Sequence, residues 1–148
     1  DYYDPDFCIY NDVVVYDGKG GFEILGYPQE IFPPTDFHSA TLVGHYIYII
    51  GNLGYADSRR DGETPVYRLN CESLAISEVE TTGENPGWIW RHRAHYNVRS
   101  EGSQDGMGEI TISGGKISGI SEGKSAYYDN CETFCLDLST LVWRRVKD

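Results

Sequence analysis

The chain has 148 residues, about the length of one domain, and its 23 acidic against 12 basic side chains give a formal net charge of −11. This acidic excess argues against nucleic acid as a partner, because phosphate backbones are bound through basic surfaces. Hydrophobic residues make up 40% of the chain, enough for a packed core, yet no apolar run approaches the length that crosses a bilayer. We therefore expect a folded domain that binds neither nucleic acid nor a membrane.

Short strands are predicted along most of the chain, because β-branched and aromatic runs alternate with Gly, Pro and Asn. In chain order they cover residues 11–16, 39–43, 46–50, 65–69, 75–79, 109–113 and 133–138. Further strands are expected to begin at Phe22 and Trp143. Residues 71–80 could form a short helix, but the alternation of apolar and polar residues within 75–79 favours a strand. The predicted fold class is all-β.

Two kinds of segment recur. A strand ending in an acid or an amide is found at 14–17, 67–70 and 134–137. The segment His38-Ser39-Ala40 matches His92-Arg93-Ala94, 54 residues later. The spacing between matching segments rises along the chain from 53 to 67 residues, as one repeat with two loop insertions would produce. These insertions are predicted within 98–108 and 118–130.

The order of these features resembles a kelch repeat, the unit of a β-propeller blade. One copy has two prolines, the His38 strand, a tight turn, an aromatic-aliphatic strand that ends at Gly51, and a strand that ends at Asn70. The second copy runs from Pro86 to Trp143 and keeps the family's double glycine. The resemblance implies a single kelch-like β domain over 1–148, with a half blade at 11–26 and full blades at 33–83 and 86–147.

Propellers close a ring of about four to eight blades, so two and a half blades form an incomplete ring in one chain. Three arrangements follow from this count: a fragment of a larger propeller, a homo-oligomer that completes the ring between subunits, or a β-stack that is not a ring. For the isolated chain we expect self-association or low stability, because unpaired strand edges and uncovered blade faces attract copies of themselves.

The cysteines Cys8, Cys71, Cys131 and Cys135 are scattered, and no Cys-x-x-Cys spacing occurs. No metal site and no cofactor are therefore predicted. A chain of this length does not need disulfides, so we expect reduced thiols and a cytoplasmic location.

Two structural roles are predicted from the repeat. His38 and His92 occupy matching positions, and we expect each to order its own blade by bonding to backbone. The double glycine is expected to bring the backbone at Gly114 against a neighbouring blade, so that Gly114→Val destabilises more than Gly20→Val.

Residues 88–95 are the most unusual segment, since they unite two indoles, two guanidinium groups and two imidazoles. Planar cations beside aromatic faces suit the recognition of carboxylates or sugars. The resemblance places the turn before each histidine strand at the central pocket of a propeller. The ligand-binding candidates are Trp90, Arg91, Arg93 and His95, together with Asp36 and Phe37, and then Arg59 and Arg60 of a charged loop. The alternative interpretation is that the charges pair with nearby acids and the loop is a solvated turn.

Kelch-like propellers mostly serve as interaction platforms, so the resemblance implies a non-catalytic module that binds a protein or an acidic peptide. Two alternatives stay open: an enzyme of sugar or small-acid chemistry on the same scaffold, and a purely structural repeat. No catalytic residue is assigned from the sequence.

Overall fold

The structure is a computed structural model that describes residues 4–99 and 107–147. The insertion predicted at 98–108 therefore lies largely outside the described residues. Fourteen strands and one short 3₁₀ turn, Ala56–Ser58, follow one another in these two ranges. The strands are β1 (Val13–Tyr16), β2 (Phe22–Leu25), β3 (Ser39–Val43), β4 (Tyr46–Ile50), β5 (Val66–Asn70), β6 (Ile76–Glu78), β7 (Thr82–Gly83), β8 (Trp88–Trp90), β9 (Arg93–Asn97), β10 (Glu109–Ser113), β11 (Lys116–Ser121), β12 (Lys124–Asp129), β13 (Thr133–Asp137) and β14 (Val142–Val146). Within the described ranges there is no α-helix, so the all-β prediction is confirmed.

Two sheets repeat the same antiparallel meander. The first sheet has the order β3-β4-β5-β6, and the second sheet has the order β9-β10-β13-β14 with β7 added in parallel beyond β14. The predicted strands β3, β4 and β10 match the observed bounds, and the other predicted strands that the structure contains begin and end within two residues of the prediction. The pairings Leu42↔Ile47 and Tyr96↔Ile110 occupy matching places in the two sheets.

The turn that follows the third strand of each sheet is also repeated. The side-chain oxygens of Asn70 and Asp137 each accept hydrogen bonds from two backbone N–H groups that lie two and three residues later, at 2.8 to 3.2 Å. Leu74 and Leu141 then adopt φ of 60° and 56°. An acid or amide recurs at the end of this strand because its side chain closes the turn.

The sheets stack in layers on either side of the first sheet. The larger core lies between the first and second sheets and contains Tyr48, Ile50, Ile110, Leu136 and Trp143, all almost fully buried. A smaller core lies on the other face of the first sheet, where Ile49, Leu69 and Ile76 meet Phe32 and the partly buried Val13 of the ribbon formed by β1 and β2. Successive side chains of β4 therefore point alternately into the larger core and into the smaller core.

The two outer faces of this stack differ in chemistry. The ribbon exposes Val14, Tyr16, Phe22 and Ile24, whose side chains share one face by pairing. On the far face of the second sheet, Glu109, Thr111 and Ser113 stand where the first sheet has Tyr46, Tyr48 and Ile50. One end of the stack is therefore apolar and the other is polar.

A third sheet, with the order β8-β11-β12, was not predicted. Its hairpin β11–β12 occupies the segment that the sequence repeat marks as an insertion. The first copy of the repeat has no counterpart for it, so self-similarity gave no signal. Ile117 of β11 and Ile89 of β8 join the larger core and fix this sheet against the second sheet.

The close backbone contact predicted for Gly114 occurs one residue later. A Cβ atom at Gly115 would lie 2.5 Å from the Trp90 carbonyl oxygen, whereas one at Gly114 would meet nothing within 4 Å. Gly51 makes the matching approach in the first sheet, to the carbonyl oxygen of Ile89. The steric reason given for Gly114 was thus wrong by one position.

Candidate binding site

The turns before β3 and β9 meet at one place on the surface. Phe37 and Arg91, which are 54 residues apart and equivalent in the repeat, have φ of 52° and 57°. This left-handed backbone is costly for side chains of this size and is held by the surroundings. The Arg91 N–H donates to the Phe37 carbonyl at 2.9 Å, which joins the two turns.

These turns line a concavity of about 500 Å³, which we call the aromatic concavity. Its lining consists of Phe7, Asp36, Phe37, Leu53, Trp90, Arg91 and Tyr127. Four of the predicted contact residues, Asp36, Phe37, Trp90 and Arg91, are thus brought together. Leu53 and Trp90 are buried, whereas Phe37 and Tyr127 are exposed at the rim.

The aromatic rings are arranged around Trp90. Its ring centroid lies 6.0 Å from that of Phe37 and 5.7 Å from that of Tyr127, the latter edge to face. The Arg91 guanidinium carbon lies 4.5 Å from the Phe37 centroid and 5.4 Å from the Trp90 centroid. Arg91 therefore spreads across two rings, where cation–π attraction holds a planar cation in place.

Hydrogen bonds beneath the lining fix its shape. The buried Asn52 accepts from the Asp36 N–H at 2.9 Å and donates to the Pro34 carbonyl at 3.0 Å. The Asp36 carboxylate accepts from the Gly54 N–H at 2.9 Å. The Trp90 indole N–H donates to the Ser118 hydroxyl at 3.2 Å. The site is thus largely preformed, which reduces the entropy cost of binding.

Arg59 joins the rim of the concavity. Its Nε and Nη2 donate to the carbonyls of Leu53 and Gly54, and its Nη1 donates to the Tyr127 hydroxyl at 2.7 Å. The guanidinium carbon also lies 5.5 Å from the Tyr127 ring centroid. The predicted recognition loop therefore supplies one arginine to the same site as Arg91.

The two arginines at the concavity differ from most others in their partners. Carboxylates contact Arg60, Arg99, Arg144 and Arg145 at 2.7 to 3.5 Å. Within residues 4–99 and 107–147, neither Arg59 nor Arg91 has a carboxylate within 4.0 Å. In so acidic a chain, these two cations are held over aromatic rings without neutralisation.

Three other predicted contact residues lie away from the concavity. Arg60 contacts Glu63 and Glu78 at 3.3 and 3.2 Å, as the solvated-turn interpretation expected. Arg93 and His95 are exposed on β9 and do not contribute to the lining. Arg91 precedes β9 and has a positive φ, so its side chain does not follow the alternation of side chains along that strand. Arg91 therefore reaches the concavity although Arg93 and His95 do not.

His92 lies between the first and second sheets and not within its own sheet. Its Nε2 is 2.8 Å from the Ser39 hydroxyl, so the expected bond to backbone is corrected to a bond with the adjacent sheet. Its Nδ1 is buried and has no hydrogen-bond partner among the residues that the structure describes. Burial, together with the nearby His38, lowers the pKa of His92 to about 4. Desolvation by neighbouring atoms lowers the pKa of His38 too, although the residue as a whole is exposed and the nearby Asp36 opposes the shift.

Sequence reasoning missed Leu53, Tyr127 and Phe7 as lining residues. Tyr127 comes from the unpredicted hairpin, and its position against Trp90 depends on tertiary packing. Leu53 follows the Gly51 strand end, where the kelch resemblance marks only a loop. A signal for Leu53 was nevertheless present, since it is the one large apolar residue between the Gly51 strand end and Tyr55.

The described residues contain no group of three or more His, Cys, Asp or Glu side chains that could hold a metal ion. All four cysteines are free, and Cys135 is buried. No helix in the described part of the chain is long and apolar enough to cross a membrane.

Comparison of the sequence with protein-family models gave no match, and comparison with curated proteins gave none.

Proposed function

We propose that this chain is a non-catalytic binding module that takes an acidic peptide, or an acidic segment of a partner protein, at the aromatic concavity. The observation that carries the proposal is the pair of arginines, Arg59 and Arg91, which face aromatic rings and lack carboxylate partners among the described residues. A ligand carboxylate would supply the missing counter-charge. Fork-shaped guanidinium groups bind carboxylates through two N–H donors at once.

The lining favours a peptide over a small polar ligand. Trp90 and Leu53 form an apolar floor that suits aliphatic or aromatic side chains, while Phe37 and the two arginines stand at its margin. Tryptophan and arginine are also the residue types that most often carry interface energy. An acidic ligand approaching a protein of net charge −11 is repelled except where cations are concentrated, so these arginines also direct it to one site.

The proposal is tested by isothermal titration calorimetry with a capped peptide of alternating threonine and glutamate. We expect Arg91→Ala to weaken binding about 30-fold, the equivalent of about 2 kcal/mol. Arg93→Ala is the matched control, because Arg93 is exposed two residues away but outside the lining. A glutamine version of the peptide should bind weakly. Equal affinities for the Arg91 and Arg93 variants would contradict the proposal.

The same module is proposed to be kelch-like, with the first and second sheets as two blades of a propeller. Support comes from their matching meanders, their shared core, and the repeated turns at Asn70 and Asp137. The ribbon then corresponds to the two outer strands of a preceding blade, since β1 and β2 match β5 and β6 in sequence. Kelch-like modules act as interaction platforms, which agrees with a site built where two blades meet.

A complete ring would need further strands, from a second copy or from a longer polypeptide of which this is a fragment. We propose that these strands pack against the apolar outer face of the ribbon. The proposed location of the protein is the cytoplasm. The polar far face of the second sheet is less suited, because Glu109, Thr111 and Ser113 replace apolar residues there. Electron microscopy of the purified chain tests completion by further copies: closed rings support it, and single open stacks at all concentrations contradict it and leave the longer polypeptide as the source of the missing strands.

A further inference from the structure

Strand β12 forms an open edge beside the aromatic concavity. In the described part of the chain, β12 pairs only with β11, and no other backbone–backbone hydrogen bond involves Lys124–Asp129. One side chain contacts this backbone, since the Cys131 Sγ lies 4.0 Å from the Asp129 carbonyl oxygen at the end of the strand. All of its residues are exposed except Ala126, which is half-buried. An unpaired edge of this length presents a row of N–H and C=O groups that can pair with another strand.

The hairpin geometry identifies which backbone groups are available. Glu122 and Gly123 form the two-residue loop between Ser121 and Lys124, and both have positive φ, as in a type I′ turn. In such a hairpin, the two residues that flank the loop are hydrogen-bonded to each other. Along the two strands, hydrogen-bonded pairs then alternate with pairs whose backbone groups point away from the partner strand. The N–H and C=O groups of Ser125, Tyr127 and Asp129 therefore point away from β11, toward the open edge.

An independent contact on the other side of the sheet supports this alternation. The same rule directs the Ile89 carbonyl away from β11, and that carbonyl accepts from the Asn52 N–H at 2.9 Å. At this opposite edge the outward group is satisfied within the chain. At β12 it is not.

The residues of β12 whose backbone groups point to the open edge have their side chains on the sheet face that carries the concavity. Tyr127 pairs with Ser118, and Ser118 pairs with Trp88, so their side chains lie on one face of the sheet. Trp90 shares this face by alternation, and its indole bonds Ser118. A strand added to β12 would place alternate side chains on the same face, next to Tyr127.

From this arrangement we propose that the acidic ligand binds in extended form, as an additional strand on β12, with an acidic side chain at Arg59. This inference rests on the proposed function and specifies how the ligand is held. Pairing of main chain would supply affinity, and the concavity would select the side chains, as in other cases of strand addition.

Arg59 has the donors that this mode requires. Its three contacts use one N–H on each nitrogen, and a guanidinium has five N–H donors. Two donors therefore remain for a carboxylate. Because Nη1 lies 2.7 Å from the Tyr127 hydroxyl, the cation sits at the tip of the side chain that an added strand would adjoin.

The edge also lacks the usual protection against added strands. Its charges, Lys124 and Asp129, stand at the two ends, and the middle of the strand holds Ser125, Ala126, Tyr127 and Tyr128. Natural edges are more often interrupted by proline, inward-pointing charges or bulges. An acidic strand would meet no carboxylate along these four middle residues.

The test uses the threonine-glutamate peptide in two further forms, N-methylated either on every threonine or on every glutamate. In an added strand, alternate N–H groups point at β12 and the others point to solvent, so one methylated form should lose at least tenfold in affinity while the other stays within twofold. Binding through side chains alone would make the two forms equal, and that result would overturn strand addition.

A protein variant provides the second arm. Ser125→Pro removes an outward N–H without touching a hydrogen bond to β11, and we expect at least tenfold weaker binding, against no change for the control Ser125→Ala, which keeps that N–H. If Ser125→Pro does not fold, the methylated peptides on the unchanged protein still decide the question. Binding that depends on Arg91 but ignores both methylation and Ser125→Pro overturns strand addition alone. No binding to the unchanged protein overturns the proposed function as well.

Discussion

The buried His92 makes the association of the two sheets sensitive to acid. The residue is 8% exposed, its Nε2 contacts the Ser39 hydroxyl at 2.8 Å, and its Nδ1 has no partner within residues 4–99 and 107–147. Protonation would place a charge in this site, which explains why burial lowers the pKa of His92 to about 4. In the unfolded chain the same group titrates near 6.5.

The direction of the effect follows from linkage. Between pH 6.5 and about 4, the unfolded chain binds a proton at His92 and the folded chain does not, so stability falls as the pH falls through this window. At about 1.4 kcal/mol per pKa unit, the full loss below the folded-state pKa is about 3 kcal/mol. Above pH 6.5 the contribution is constant.

The assay is urea unfolding, followed by tryptophan fluorescence, at a series of pH values from 7.5 to 4. We compare the unchanged protein with His92→Gln, which can keep a hydrogen bond to Ser39 but cannot titrate. The carboxylates contribute equally to both proteins, so the difference between the two pH profiles isolates His92. His38→Gln measures the smaller contribution of His38, whose pKa is also lowered. Parallel profiles for the unchanged protein and His92→Gln would refute the reasoning.

Three further predictions concern the fold. Gly115→Ala should lower the urea midpoint well beyond Gly114→Ala, since both glycines have positive φ but only Gly115 approaches backbone atoms; equal midpoints would contradict the steric argument. Asn70→Ala should destabilise by about 1 kcal/mol in thermal unfolding, because two backbone N–H groups lose their acceptor, and an unchanged melting temperature would count against this role. Phe22→Ser should reduce self-association measured by light scattering, because Phe22 is 69% exposed on the apolar face of the ribbon. The control Ile120→Ser, at an equally exposed residue outside the ribbon, should not. Equal effects would show that self-association does not involve the ribbon face.

The repeat made much of the fold predictable from the sequence. The strands of the first sheet, and β10, β13 and β14 of the second sheet, follow from local sequence patterns. The acid or amide at Asp17, Asn70 and Asp137 marks turns whose geometry is set by the residue itself. These features depend on residues that are close in the sequence, so they can be predicted from it. Four members of the aromatic concavity were predicted because the kelch resemblance implies a pocket at the turn before each histidine strand, and Phe37 and Arg91 occupy that position in the two copies.

Features that depend on packing between distant segments were not predictable. The hairpin β11–β12 is present in one copy only, and Tyr127 reaches Trp90 through the tertiary fold. The partner of His92 could not be read from the sequence either, since Ser39 lies 53 residues away. The misplacement of the close contact from Gly115 to Gly114 has a similar origin: both are glycines of positive φ, and only the neighbouring backbone distinguishes them.

The central claim, that the aromatic concavity holds an acidic ligand, is tested most directly by nuclear magnetic resonance of the ¹⁵N-labelled protein during titration with the threonine-glutamate peptide. The three indole N–H groups report on separate places, since Trp88, Trp90 and Trp143 donate to Leu53, Ser118 and Thr81. We predict saturable shifts of the Trp90 indole and the Arg59 and Arg91 Nε–H signals, with the Trp143 indole unchanged. Shifts confined to other residues, or none at saturating peptide, would contradict the claim.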